Sequence, residues 1–81
     1  MTHERFAPLQ RALAVVVRRR RLANNMSQEE LAHRAGRSMR YISLLENCRI
    51  QPTLDTLIRI STALGVPLSQ VILEAEKEVG N

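Results

Sequence analysis

An all-α fold of five helices follows from three features of this 81-residue chain. Apolar residues recur at three- and four-residue spacing, and no segment reads as a strand. Ser27, Ser38 and Thr53 stand where a helix start needs a side-chain oxygen to accept its free amides. Gly36, Gly65, Pro52 and Pro67 stand where helices have to stop.

The first helix is expected from about Pro8 to Ala23, with Pro8 in its first turn. Leu9, Leu13 and Val17 repeat at i, i+4 along one face of it, and Asn24-Asn25 end it because asparagine tolerates the left-handed conformation. Ser27 caps a second helix, about Gln28 to Ala35, and Glu30 completes a capping box. Its apolar face is Leu31, Ala32 and Ala35, and Gly36 closes it. Ser38 caps a third helix, about Met39 to Asn47, whose Ile42 and Leu45 point inward. Residues 48 to 52 form a loop that Pro52 keeps out of helix. Thr53 caps a fourth helix, Leu54 to Leu64; Gly65 closes it, and Val66-Pro67 turns into a fifth, about Leu68 to Glu78. The chain reads as one domain, 1-81, packed over about 8-78. The expected core is Leu9, Leu13, Val17, Leu31, Ala35, Ile42, Leu45, Leu54, Leu57, Ile60, Leu64, Val66 and Val71. Ile58, Leu68 and Ile72 fit less easily inside, and together they make an apolar strip suited to a dimer interface.

Composition narrows the function. The one cysteine, Cys48, permits no internal disulfide, and with His3 and His33 it supplies too few ligands at sensible spacing for zinc. The run Leu13-Ala14-Val15-Val16-Val17 is too short to span a bilayer and stops at four arginines, so a soluble, cytoplasmic protein is expected. No nucleophile elbow, paired carboxylates, phosphate loop or metalloprotease motif occurs, so neither an enzyme nor a cofactor is expected. The net charge is +4, and all eleven arginines fall within residues 1 to 62, against five acids there. That half therefore carries a positive field suited to phosphate. Phe6 and Tyr41 are the only aromatic residues, too few for a platform that stacks unpaired bases, so double-stranded DNA is the expected partner.

Residues 28-47, two short helices joined at Gly36, form a helix-turn-helix, a motif that lays its second helix in the major groove. Met39, Arg40, Ser43 and Leu44 occupy the face of that helix opposite Ile42 and Leu45. Arg40 is the best candidate for base readout, because its guanidinium can donate two hydrogen bonds to guanine.

The phrases Met26-Ser27-Gln28-Glu29-Glu30-Leu31-Ala32, Tyr41-Ile42-Ser43-Leu44-Leu45-Glu46-Asn47 and Pro52-Thr53-Leu54-Asp55-Thr56-Leu57 resemble the Cro/CI-type (xenobiotic-response-element-type) helix-turn-helix regulators. The resemblance runs from about Leu13 to Val71. It implies a lambda-repressor-like domain that binds a palindromic operator as a homodimer and acts as a repressor or controller, nucleoid-associated when bound. It assigns Gln28, Asn47 and Arg49 to DNA phosphate and implies a structural ion pair between Arg21 and Glu46. Arg37, Ser38 and Tyr41 are expected within reach of phosphate as well. Arg37, Arg20, Leu44 and Cys48 depart from the family's usual residues, Cys48 standing where glycine is common. An alternative expectation is an antitoxin-like or adaptor protein whose helix 4/5 surface binds another protein.

Overall fold

The computed structural model describes residues 2–80, with side chains from Ala7 onward. The elements are α1 (Thr2–Ala23), α2 (Gln28–Ala35), α3 (Met39–Glu46), α4 (Leu54–Ala63) and α5 (Leu68–Gly80). No strand forms among the described residues. The side chains of His3 and Phe6, singled out above, lie outside the described set.

Helix α1 corrects one expectation. It begins at Thr2, so Pro8 lies inside the helix rather than at its first position. Pro8 removes one amide and crowds the carbonyl four residues back. The cost falls ahead of the buried stretch that starts at Ala12, where little packing is disturbed. At roughly 1.5 Å per residue α1 is about 33 Å long, which accounts for the 36 Å long axis of the domain.

The remaining termini follow local chemistry. The hydroxyls of Ser27, Ser38 and Thr53 accept hydrogen bonds from the backbone amides of Glu30, Tyr41 and Thr56. Gly36 takes φ 68°, and the following amide, of Arg37, donates back to the Ala32 carbonyl at 2.9 Å. Only a residue without a side chain enters that conformation freely. Helix α4 ends in the same way at Gly65, with φ 79° and the Val66 amide donating to the Ser61 carbonyl. Helix α5 then leaves at 100° to α4.

The core lies where α1 crosses α5 and α3. Val16 and Val17 are both fully enclosed, because α1 is covered on two flanks and adjacent residues serve one flank each. Leu31, Ile42, Ile60, Val71 and Ala75 complete the centre. Two expected core residues are outside. Leu54 is 65 % exposed because the first turn of α4 projects past its neighbours, and Leu9 is 37 % exposed on the outer half of α1. Leu57 and Val66 are half-buried against the core. The anticipated strip divides: Ile58 is 47 % exposed, whereas Leu68 and Ile72 are half-buried. Leu73, not anticipated, lies open on α5.

A polar clamp ties α1 to α5. Arg20 donates from Nε to Glu74 Oε1 at 3.0 Å and from Nη2 to Oε2, and Gln70 donates to Oε2 at 3.0 Å. Arg19 adds an exposed bridge to Glu78 at 2.9 Å. The Arg20 guanidinium, then the Gln70 amide, lower the pKa of Glu74 to about 2. A carboxylate held below its unfolded value stabilises the fold above the ordinary range and loses that contribution as pH falls toward the folded value. Glu74→Gln should therefore cost about 1–2 kcal/mol at pH 7, a figure reduced from the full linkage value because water reaches both partners. It should also narrow the stability difference between pH 7 and about pH 2. Urea denaturation at the two pH values measures both effects.

Candidate nucleic-acid interface

Helices α2 and α3 meet at the Gly36–Ser38 turn and present one face of α3 outward. Ile42 and Leu45 are buried at 0 % and 2 % exposure, which fixes the rotation of α3. The opposite face follows from helical geometry. Met39 and Arg40 are exposed there, and Ser43 and Leu44 are half-buried. The first turn of α3 holds no acidic residue, so nothing on the helix itself offsets the positive end of its dipole.

Beneath this face lies a buried polar node. Arg21 donates from Nε to Glu46 Oε2 at 2.7 Å, from Nη2 to Glu46 Oε1 at 3.0 Å, and from Nη1 to the Met26 carbonyl at 2.8 Å. Gln28 Nε2 donates to Glu46 Oε1 at 3.1 Å. The Arg21 and Glu46 side chains are only 8 % and 3 % exposed. The Glu46 carboxylate raises the pKa of Arg21 through these hydrogen bonds, so the guanidinium stays charged although burial opposes it. Gln28, on which the resemblance placed a phosphate contact, is thus held half-buried by the same carboxylate.

Other arginines are also occupied within the chain. Arg37 folds away from the α3 face onto the start of α4. Its Nε and Nη2 donate to Thr56 Oγ1 at 3.2 and 2.9 Å, and its Nη1 donates to the Gly36 carbonyl at 2.9 Å. It is not grouped with the outward donors of α3. Arg34 pairs with Glu30, and Arg59 with Asp55. By contrast, the side chains of Arg40 and Arg49 make no hydrogen bond or ion pair among the described residues, and both are exposed. Ser38 is engaged as a cap, Tyr41 packs half-buried against the core, and Asn47 Nδ2 donates to the Ser43 carbonyl at 2.8 Å.

The structure thus brings Met39, Arg40, Ser43, Leu44, Asn47 and Arg49 to α3 and its exit. Sequence reasoning missed the Arg37–Thr56 and Arg20–Glu74 contacts, which join residues 19 and 54 positions apart. Neither separation has a helical or hairpin period that could have announced it.

The loop after α3 turns on Cys48, at φ 59°, while Asn47 stays at φ −95°. The Cys48 and Arg49 amides donate to the Leu45 and Leu44 carbonyls at 3.0 and 2.8 Å, closing the helix. A β-carbon in that left-handed region costs about 1–2 kcal/mol, part of which glycine gives back through its freer unfolded chain. Cys48→Gly is therefore expected to stabilise the protein by about 0.5–1 kcal/mol, readable as a higher urea midpoint with unchanged slope. Glu46→Ala leaves the buried Arg21 charge uncompensated and should cost about 3–5 kcal/mol, whereas Arg21→Met with Glu46→Leu should recover most of it. Equilibrium urea unfolding of the single and double variants provides the comparison.

A helix-turn-helix family profile, HTH_3, matches residues 17–71. The chain is 36 % identical over 59 residues to y4dJ, an HTH-type transcriptional regulator of Sinorhizobium fredii, covering 73 % of this chain and 77 % of that protein. Its fold is similar to the clp gene regulator ClgR of Corynebacterium glutamicum, with a TM-score of 0.85, 29 % identity, and coverage of 89 % of this chain and 77 % of that one. It is also similar to the restriction–modification controller protein C.Esp1396I, with a TM-score of 0.84, 27 % identity, and coverage of 90 % and 96 %. The exposed α3 face, the cap-defined turn and these matches agree: the chain belongs to the Cro/CI-type helix-turn-helix family of DNA-binding transcriptional regulators.

Proposed function

We propose that the protein acts as a homodimer on a palindromic operator, as a repressor or an autoregulating controller. The observation that carries this reading is the contrast among arginines: Arg40 and Arg49, at α3 and its exit, are exposed and unengaged, while those elsewhere on the helix-turn-helix are tied down. Arg40 reads guanine through its paired donors, and Met39 and Leu44 meet thymine methyls or pack against the groove wall. Ser43 serves base or phosphate. Arg49 and Asn47 contact the phosphate backbone, with Ser38 and Tyr41 at the other end of α3 and Gln28 held beside it by Glu46.

The second copy is supplied through α4 and α5. Ile58 and Leu73 are 47 % and 44 % exposed, and Leu68 and Ile72 are half-buried on the same pair of helices. Likeness to a restriction–modification controller supports the controller reading. Two recognition helices about 34–36 Å apart would then meet successive major grooves. Cytoplasmic location and association with the nucleoid follow from that function.

Selection of bound sites from random duplex DNA should yield a palindromic consensus, and a sizing column should show a dimer at micromolar concentration. An asymmetric consensus bound by a monomer would instead favour the α4–α5 surface as a site for a different protein. On the selected operator, Arg40→Ala should forfeit about 1–3 kcal/mol of discrimination while retaining affinity for random duplex. Arg49→Ala should weaken binding to both and reduce the salt slope by about 1. Equal losses on operator and random duplex for Arg40→Ala would remove Arg40 from base readout.

A further inference from the structure

A half-enclosed pocket of about 180 Å³ lies on the side of the domain where the outer half of α1 meets the α3–α4 loop and α5. Leu13 and Leu45 are buried walls, and Leu57 and Ile72 are half-buried ones. Its third side is the loop itself, through Ile50 and Pro52. Gln10 and Gln51 are the polar residues of the lining, and among the described residues no ionisable one contributes to it. An apolar cavity of about 150 Å³ accepts benzene, so this volume suits a molecule of one or two rings. A described lining without charge selects a neutral molecule, because a buried ion would find no partner there. The two glutamine residues could satisfy a single neutral donor or acceptor on it.

We infer that this pocket binds a small neutral ring compound carrying one hydrogen-bonding group, and that its occupancy weakens DNA binding through the α3–α4 loop. The coupling rests on Arg49 being a DNA contact; the binding does not. Leu45 belongs to the recognition helix, and Ile50 directly follows Arg49. Leu13 of α1 and Leu45 of α3 are buried in the core, whereas Ile50 of the loop is only partly buried against it. The loop is the side that yields: it lies outside any helix and follows Cys48, already at φ 59°. A ring seated against Ile50 and Pro52 therefore displaces the loop outward and carries Arg49 from its phosphate.

Indole, a neutral two-ring donor, is the probe. Methyl NMR of the full chain should show saturable, one-to-one shifts at Leu13, Ile50, Leu57 and Ile72, with Ile58 and Leu73 unmoved. Leu9→Trp places a ring at the rim, where Leu9 is 37 % exposed, and should weaken indole binding at least tenfold. Gln51→Trp, at another exposed rim position, makes the same test should the first variant fail to fold. Shifts that do not saturate, that spread to Ile58 and Leu73, or that survive both rim variants overturn the pocket. Anisotropy of a labelled duplex should then show binding about fivefold weaker with indole, within the usual range of allosteric coupling, and no such change in the folded rim variant. Unchanged duplex affinity at saturating indole overturns the coupling. Failure to bind duplex without indole overturns the role given to Arg49, and the coupling with it, while the pocket stands or falls on the NMR titration.

Discussion

The carboxylate of Glu46 is the point on which the reading face depends. It lies at the end of α3, takes two hydrogen bonds from Arg21 of α1, and takes a third from Gln28 at the start of α2. Three helices are thereby referred to one side chain. Burial of such a pair costs several kcal/mol per ion, and a hydrocarbon substitute of the same size would hold the helices together as well or better. Hydrocarbon contacts, however, lack direction. The planar fork of Arg21 meets both carboxylate oxygens, and its third nitrogen, Nη1, donates to the Met26 carbonyl, so the guanidinium has a defined orientation. Ile42 and Leu45 fix the rotation of α3, and Glu46 ties its last turn to α1 and α2.

The same logic sorts the arginines. An arginine-rich chain could present an undifferentiated positive surface to any polyanion. Here part of that charge is neutralised locally by an acid on a neighbouring turn or helix: Arg20 by Glu74, Arg34 by Glu30, Arg59 by Asp55. Arg37 is folded onto Thr56, where it braces the turn of the motif against α4. What remains outward at α3 is concentrated on Arg40 and Arg49, one on the helix and one just past its end. Few directed donors on a fixed helix read sequence better than many loose ones, because specificity resides in geometry and non-specific affinity in charge.

Helix ends control the rest of the arrangement. The hydroxyl caps before α2, α3 and α4 begin each helix at a defined residue, and the left-handed residues Gly36, Cys48 and Gly65 end three of them sharply. Sharp ends make short connections, and short connections allow few crossing geometries. At Gly36 and Gly65 that conformation is free of side-chain strain, whereas at Cys48 it is not. Asn25, after α1, also enters that region at φ 58°, but asparagine tolerates it better than most side chains; the strained exit with a less suited residue is the segment bearing Arg49.

Local chemistry alone determined much of this protein. The bounds of α2 and the starts of α3, α4 and α5 were legible because a cap, a glycine or a proline marks each within a few residues. The outward set Met39, Arg40, Ser43 and Leu44 was legible because a helix with two known inward residues has one opposite face. The pairing of Arg21 with Glu46 was reached through family resemblance, since nothing in their spacing announces it; the bond from Gln28 to the same carboxylate was not foreseen. Tertiary structure decided the remainder. It carried α1 back through Pro8, because a proline near a helix start costs one bond and no core contact. It enclosed Val16 beside Val17 and left Leu9 and Leu54 open, because burial depends on which neighbouring helix covers a turn and not on hydrophobicity. It joined Arg20 to Glu74 and Arg37 to Thr56, contacts that exist only after distant segments have packed. Periodicity and caps act within a few residues and survive in sequence; the partner of a long charged side chain is a property of the assembled fold.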